Sequence, residues 1–233
     1  MTTQPGRWTA IRAVVTDDAS LRQWTLIAND GIIATAGILE GFAGAGAESR
    51  ALLIAGTVAT IAGMLAAGGA QWAEVDSERE AQLKATREEA DSLATSPDAE
   101  LEELVAYYRE KGLTPELARE VAEQLTAHDA IAAQLESEHG IIAPIEGTDA
   151  LVVGLGAAVA YGLGAAIPLL ITVFAPVAIE AWAIVAAVAI SLVVTSIVGA
   201  RTGQMDINRT VGRTLAVGLG TLAISYAVGQ LLF

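Results

Sequence analysis

Two carboxylates, Asp30 and Glu40, interrupt an apolar segment that spans residues 24–44 and is almost long enough to cross a bilayer. A charged carboxylate at the bilayer centre costs roughly 2.5–3.5 kcal/mol on insertion scales, so such residues usually belong to ion pathways or proton relays. Glu40 lies about 15 Å beyond Asp30 along a helix axis. Asp30 either lies on such a pathway or caps the true start of the helix within Asn29-Asp30-Gly31. Glu40 is either a second station on the pathway or lies near the far membrane surface.

The densest carboxylates of the chain lie further on and could bind a divalent cation. Glu100 and Glu103 are three residues apart and therefore neighbours on one helix face. Two such pairs on facing helices would form an all-oxygen cage, and added Met or His ligands would suit first-row transition metals. The alternative is a solvated acidic face without a ligand. The dense carboxylates are Glu88, Glu89, Glu100, Glu102, Glu103, Glu136 and Glu138.

Three other side chains could bind a metal, but a simpler role is favoured for each. Met64 lies in an apolar segment, where methionine usually serves packing. His128 and His139 are single histidines at predicted helix ends, where a solvated or capping role is favoured. The sequence contains no cysteine, which excludes disulfides, thiolate metal sites and cysteine nucleophiles.

Nearly all the negative charge is concentrated in one block. Residues 74–138 hold 18 Asp or Glu against 6 Lys or Arg, whereas the whole chain has a net charge of −14. Such a surface repels phosphate, so a nucleic-acid partner is excluded and cations are favoured. The chain as a whole is nevertheless 53% hydrophobic and only 17% charged, below the roughly 25% charge of a typical soluble domain.

Five apolar stretches are long enough to cross a bilayer, which takes about 20 residues in a helix. Glycine and alanine crowd these stretches, and small residues let helices pack closely in lipid. Five helices of a soluble core would have almost no polar faces for water, so a membrane location is favoured. The predicted spans are residues 24–46, 51–73, 149–174, 178–199 and 213–233.

The arginines orient the chain in the membrane. Arginines precede the first span, at positions 7, 12 and 22, and lie between the fourth and fifth spans, at positions 201, 209 and 213. Positive-inside counting therefore places the N-terminus and the 200–213 loop in the cytoplasm and the C-terminus outside or in a lumen. The predicted domains are a cytoplasmic N-terminal segment (1–23), helices one and two (24–73), a cytoplasmic acidic metal-binding helical domain (74–148) and helices three to five (149–233).

The acidic block itself has the pattern of packed helices. The second span continues without Gly or Pro to Pro97, which predicts one long helix. Ser96-Pro97 and Thr114-Pro115 are typical helix starts, and Gly112 and Gly140 are typical helix ends. A further helix is expected to begin at His128 or Asp129. The apolar residues expected to pack these helices together are Leu101, Leu104, Val105, Tyr108, Leu117, Val121 and Leu125.

Several blocks of the sequence, in their order along the chain, resemble the vacuolar iron transporter family. They are NDGIIATAGILEGFAGAG, IAGMLAAGGAQWAEVDSERE, PDAELEELVAYYREKGLTPELAREVAEQLTAHDA, GAAIPLL and ISYAVGQLL. The resemblance implies an all-α membrane protein with five transmembrane helices and a cytoplasmic acidic helical domain inserted between the second and the third. It also implies a homodimer with the ion pathway between subunits, which moves Fe²⁺, often Mn²⁺, out of the cytosol in exchange for protons.

The resemblance also implies roles for individual residues. Asp30 matches the family's aspartate on the membrane pathway, Glu100 and Glu103 match a pair of metal-binding glutamates, and Glu89 matches one on the preceding helix. The chain departs from the family at Ser92, where a fourth glutamate is expected.

Further departures lie in the second span and in the last helix of the acidic block. Ala67 stands where the family has a methionine, with Met64 one turn earlier, and Gln71 replaces a frequent glutamate. The last acidic-block helix lacks the family's methionine, although Glu136 and Glu138 keep carboxylates nearby. We therefore hypothesise that ion preference shifts from Fe²⁺ towards Mn²⁺.

The sequence thus predicts a proton-coupled divalent-metal exporter rather than an enzyme. We expect an integral protein of the bilayer, in the cell membrane if the source is prokaryotic, with no prosthetic group. One alternative is a membrane-anchored metal sensor or buffer that moves no ion. A carboxylate-bridged di-iron oxidase is disfavoured, because Glu136 and His139 give its Glu-x-x-His spacing only once. A purely structural membrane protein would leave Asp30 unexplained.

Overall fold

The computed structural model describes residues 18–232, apart from the side chains at positions 18, 19 and 177. The predicted N-terminal segment therefore lies mostly outside the described residues, with its arginines at 7 and 12. Within the described range the chain is helical and contains no strand. Its helices are α1 (Asp18–Gly44), α2 (Ser49–Thr95), α3 (Pro97–Glu110), α4 (Pro115–His139), α5 (Gly147–Phe174), α6 (Glu180–Thr202) and α7 (Ile207–Leu232), with a short 3₁₀ turn at Val177–Ile179.

Five of these helices, α1, α2, α5, α6 and α7, are long and apolar enough to cross a membrane, which confirms the predicted number of spans. The helix ends differ from the prediction at two places. Helix α1 begins about six residues before the predicted start at 24, and α7 begins at Ile207 instead of 213. Both extensions contain charged and polar residues, such as Arg22 and Arg209, which lower their hydropathy although they continue the helix.

The chain divides into two compact units. We call residues up to Gln71 and from Val153 onward the apolar unit, and residues Trp72–Val152 the acidic unit. The predicted division at 74 and 148 was drawn from charge and hydropathy alone. The cytoplasmic location of the acidic unit stays a prediction.

Helix α1 lies at the centre of the apolar unit. Its buried face packs against α6 and α7, where apolar residues recur at four-residue steps and form one stripe on α6. This arrangement also buries polar groups of α1, namely Asn29, Thr35 and Glu40. The core consists of Ile32, Ala36, Leu39, Leu52, Ile184, Val188, Leu192 and Leu222.

Small residues bring the backbones of α1 and α5 into direct contact. A side chain at Gly164 would overlap the carbonyl oxygen of Ala28, and one at Gly31 would overlap that of Tyr161. Only a hydrogen on each Cα permits this approach, which agrees with the packing role expected for small residues in lipid. These contacts therefore hold residues 28–31 of α1 against α5.

The acidic unit is built on a hairpin of α3 and α4. Both helices begin with proline, at Pro97 and Pro115, and Thr114 accepts the Leu117 N–H at 3.4 Å. Gly112 and Gly140 have φ angles of +100° and +67° and follow the last helical residues. These starts and ends confirm the prediction, as does the uninterrupted helix α2 of 47 residues.

The packing of α3 on α4 confirms most of the predicted apolar face, but Leu117 and Val121 lie outside the core cluster. The core of the hairpin contains Leu104 and Val105 with partly buried Leu101, Tyr108 and Leu125. Leu117, expected in this core, is 48% exposed. The alanines at 118, 122 and 133 pack in this core instead, because their small side chains let α3 and α4 approach more closely.

The predicted break between two helices near residue 129 is present as a kink. Asp129 has φ −158° and ψ 96° inside α4, and its carboxylate accepts the Ala132 N–H at 3.0 Å. This is the geometry of an N-cap, where the side chain replaces a lost backbone hydrogen bond. The kink sets the direction of the last turns of α4, which carry the acidic residues at 136 and 138.

We expect Gly164→Ala to destabilise the apolar unit, because the added methyl group would overlap the Ala28 carbonyl and separate α1 from α5. Overpacking of this kind typically costs about 1–3 kcal/mol. The matched control is Gly69→Ala, since Gly69 is helical with nothing within 4 Å of an added methyl group. Thermal unfolding in detergent should show a lower Tm for Gly164→Ala alone; equal Tm values would contradict the packing.

Candidate metal-binding sites

Four carboxylates and one imidazole come together in the acidic unit. One group consists of Glu89, Glu138 and His139, and the other of Glu100, Glu103 and Glu138. In each group one ligand atom per residue lies within 4.8 Å of the others. Glu138 belongs to both groups. The structure thus brings together most of the carboxylates singled out from sequence.

Three helices position these side chains. Glu89 lies on α2, one turn before the half-buried Ser92, while Glu100 and Glu103 share a face at the start of α3. Glu138 and His139 occupy the last turn of α4, after the Asp129 kink. Ser96 separates the last residue of α2 from the first residue of α3, so Glu89 and Glu100 lie on consecutive helices.

Glu89 is 5% exposed and is the most deeply buried carboxylate of the two groups. Its Oε1 lies 3.2 Å from Nε2 of His139, and its Oε2 has no hydrogen-bond partner among the described residues. A buried oxygen without a donor is unfavourable unless a cation or proton satisfies it. Glu89 therefore offers a free ligand atom.

Glu100 is oriented by Gln134, a residue that sequence reasoning missed. The Gln134 side-chain amide donates to Glu100 Oε2 at 3.0 Å and to the Glu100 backbone carbonyl at 2.7 Å. Hydrogen bonds of this kind fix a metal-ligating carboxylate and leave its other oxygen free. The only sequence signal was a glutamine on the apolar face of α4, between Ala133 and Leu135.

The clustering of negative charge raises the pKa of two carboxyls. Burial, together with the charges of Glu89, Glu103 and Glu100 and a hydrogen bond that protonated Glu138 donates to the Glu103 carboxylate, raises the pKa of Glu138 to about 7. Burial and the charges of Glu103 and Glu89 also raise the pKa of Glu100, although the Gln134 hydrogen bond opposes this. A divalent cation would relieve this repulsion.

Three further carboxylates singled out from the sequence lie outside the two groups. Glu88 pairs with Lys84 at 3.6 Å and Glu102 with Arg119 at 2.5 Å, so the solvated-face alternative fits these two. Glu136, predicted as a possible ligand, lies outside both groups and close enough to Tyr108 for its charge to raise the Tyr108 pKa, although burial of the phenol is the larger cause.

His139 occupies a place that the sequence did not predict. It was expected to be solvated or to cap a helix, and it instead joins Glu89 and Glu138. The donor set of the acidic unit is thus mostly carboxylate oxygen with one imidazole nitrogen. Carboxylate suits Mg²⁺, Ca²⁺ and Mn²⁺, and imidazole adds affinity for iron and zinc.

Asp30 lies inside α1, twelve residues after its first residue, so the alternative that it caps the helix start is wrong. In the single chain Asp30 is exposed and belongs to a row at four-residue steps. We call this row the outward stripe; it consists of Leu26, Asp30, Ala34, Ile38 and Phe42. Apart from Asp30, the stripe is apolar.

The phenol of Tyr161 lies in the surroundings of Asp30. Tyr161 of α5 is close enough to interact with the Asp30 charge and reaches Thr35 on its other side. Met64 lies against Gly162, next to Tyr161 along the chain, while Ala67 is half-buried one turn further along α2. Gln71 is hydrogen-bonded to Gln23 of α1. Its amide thus takes part in the packing of α1 against α2.

Glu40 is buried at 3% exposure, near the end of α1. It lies within range of the charge of Glu180, the first residue of α6, which the sequence analysis did not assign to any site. The two residues are 140 positions apart, and no local pattern links them. A buried Glu180 could have been suspected only from its place at the start of an apolar span.

Comparisons with known proteins agree with this architecture. The sequence model of the VIT family matches residues 21–230 of the chain. The chain is similar to a protein of Acanthamoeba castellanii named "Vacuolar iron transporter", with 36% identity over 121 residues. That match covers 52% of this chain and 43% of the relative. The chain therefore spans less than half the length of this relative.

Without metal, we expect the acidic unit to become less stable as the pH rises from about 5 to above 7. The folded state keeps a proton on Glu138 up to about pH 7, whereas an unfolded glutamate loses it near its ordinary value of 4.5. The unfolded state is therefore favoured increasingly through this window. Hydrogen exchange of α3 and α4 peptides in chelator, corrected for intrinsic rates, measures the change.

Glu138→Gln should reduce this pH dependence, because the glutamine cannot ionise. Glu110→Gln is the matched control, since Glu110 is exposed on α3 and outside both groups. An equal pH dependence in the wild type and in Glu138→Gln would contradict the electrostatic account.

Proposed function

This chain belongs to the VIT family, and we propose that it carries divalent transition-metal ions, Fe²⁺ or Mn²⁺, out of the cytosol in exchange for protons. The family and the five apolar helices make it an integral membrane protein. The resemblance drawn from the sequence blocks is thereby confirmed. The identity of the ion, its exchange for protons and the roles of individual residues are what we propose.

One observation carries the proposal, namely the place of Asp30 on the outward stripe. An ionised carboxylate halfway along a span cannot face hydrocarbon without a large cost. A side chain exposed on the single chain must therefore face water, a cation or another subunit. A homodimer with the outward stripes facing each other would place Asp30 on a shielded pathway between two subunits.

The acidic unit supplies the ion in this scheme. Its two groups together contain four carboxylates and His139, and the Oε2 atom of Glu89 is available as one ligand atom. The negative field of the unit raises the local concentration of divalent cations around it. Because the pKa of Glu138 is raised to about 7, this residue exchanges a proton for a metal ion at neutral pH.

Asp30 then couples the two opposite flows. When its carboxylate binds a metal ion or a proton, the charge is neutralised and the group is tolerated within the membrane. When the carboxylate is ionised and has no partner, it is not tolerated there. Alternation between these two forms lets one ion leave as protons return. The nearby Tyr161 phenol supplies a further weak ligand beside this carboxylate.

Asp30→Asn should abolish metal transport, because the amide carries no charge and cannot exchange a metal ion for a proton. Mn²⁺ uptake into proteoliposomes with an imposed pH gradient measures the effect. Mn²⁺ binding by the acidic unit should remain. Glu48→Gln, at an exposed carboxylate outside the outward stripe, is the control and should transport normally.

The same experiment separates transport from the metal-buffering alternative. A buffer or sensor needs the acidic groups but not Asp30, so its metal binding would persist while even the wild type moved no ion. Normal uptake by Asp30→Asn would sink the proposed coupling.

We expect Mn²⁺ to compete with Fe²⁺ for transport at least on equal terms. A thioether favours softer metals, whereas carboxylate oxygen suits Mn²⁺, and the family's methionine in the second span is Ala67 here. Ala67→Met should shift the ratio towards Fe²⁺, while Ala66→Met, at the exposed neighbouring position, should not. Anaerobic competition uptake in liposomes measures the ratio, and a strong Fe²⁺ preference of the wild type would contradict the hypothesis.

A further inference from the structure

Two buried carboxylates meet at the end of the apolar unit where α1 ends and α6 begins. Glu40 is 3% exposed and Glu180 is 7% exposed. Oε1 of each has no hydrogen-bond partner among the described residues. The two side chains come from different helices and interact through their charges. Burial therefore keeps both away from water while leaving one oxygen of each free.

Nothing basic compensates these charges within residues 18–232. Neither glutamate forms an ion pair there with lysine, arginine or histidine. The hydroxyl of Ser49, the first residue of α2, donates to Glu180 Oε2 at a long 3.5 Å. Two like charges in an apolar interior are not both ionised without a counterion or a proton.

A cavity of about 410 Å³ opens beside Glu40. Because a water molecule takes roughly 30 Å³ of liquid volume, the cavity has room for a cation with part of its hydration shell. Glu40 is the one carboxylate among its lining residues, which otherwise come from α6 and α7 and include Trp182 and Tyr226. Glu40 thus lines a space that can hold a cation and its water.

We propose that Glu40, Glu180 and Ser49 form a binding site for a divalent cation at this end of the apolar unit. Two carboxylates balance the double charge of the ion, and the Ser49 hydroxyl adds a third oxygen. Water in the cavity completes an all-oxygen coordination, the type that Mn²⁺ and Mg²⁺ accept.

The site would be the last one that the ion meets before release. This role rests on the proposed function, because positive-inside counting places the end of α1 on the side opposite the cytosol. Binding itself does not depend on the direction of transport.

The start of α6 explains part of the arrangement but not all of it. A negative charge at the first residue of a helix is stabilised by the helix dipole, which favours a glutamate at position 180. The dipole does not account for a second buried carboxylate, Glu40, on another helix. A shared cation accounts for both, and a shared proton is the alternative that the experiment must separate.

The first test measures Mn²⁺ binding to the full chain in detergent, by electron paramagnetic resonance of the free ion. The background variant carries Glu89→Gln, Glu100→Gln, Glu103→Gln and Glu138→Gln, which removes the groups of the acidic unit. In this background, Glu40→Gln and Glu180→Gln should each weaken one site by about tenfold or more, the range seen when support of a metal ligand is lost. Glu48→Gln, an exposed carboxylate near the same helix ends, should leave binding unchanged.

A second test keeps both carboxylates intact and so does not depend on the folding of the glutamate variants. In a chain whose other three tryptophans are replaced by phenylalanine, only Trp182 fluoresces, and it lines the cavity beside Glu40. Mn²⁺ should quench Trp182 with a saturable dependence on concentration. Quenching that rises linearly, without saturation, would overturn the site.

Two further outcomes would also overturn the inference. One is unchanged Mn²⁺ binding in Glu180→Gln. The other is a Tm for Glu40→Gln that rises equally with and without Mn²⁺, which indicates a pair sharing a proton. Transport is measured separately in liposomes. A chain that binds Mn²⁺ here but transports nothing refutes the proposed function alone, and one that transports while both variants bind normally refutes the site alone.

Discussion

Negative charge in a poorly hydrated environment needs a partner, and this constraint explains the features of both units. In the apolar unit it applies to Asp30 on the outward stripe and to Glu40 beside Glu180. In the acidic unit it applies to Glu89, whose Oε2 lacks a donor. The chain supplies few basic partners at these places. Cations and protons are the partners that remain, and the proposed transport of metal ions would use such sites.

Small residues let the helices of each unit pack closely. Gly31 and Gly164 bring the α1 and α5 backbones together near Asp30, and alanines do the same between α3 and α4. Close backbones leave little room for further side chains between these helices. In the acidic unit Gln134 fixes one oxygen of Glu100, which orients the carboxylate without neutralising it.

Local patterns in the sequence predicted the elements, whereas the pairings between distant residues could not be read from it. Five spans, the long α2, the helix starts at Pro97 and Pro115 and the break near Asp129 all follow from features within a few residues. Glu89 and His139 meet across 50 positions, and Gln134 reaches Glu100 across 34. Such contacts depend on how helices dock. Leu117 was misplaced for the same reason, because the alanines beside it decided which face packs.

Glu138 belongs to two groups at once, and this has a consequence for how metal ions load. An ion at the Glu89–His139 side and one at the Glu100–Glu103 side draw on the same carboxylate. They must bridge through it or exclude each other, so occupancy of the first changes the affinity of the second. A titration of the acidic unit would then depart from the isotherm of two independent sites, and an ion could move from one side to the other without first returning to bulk water.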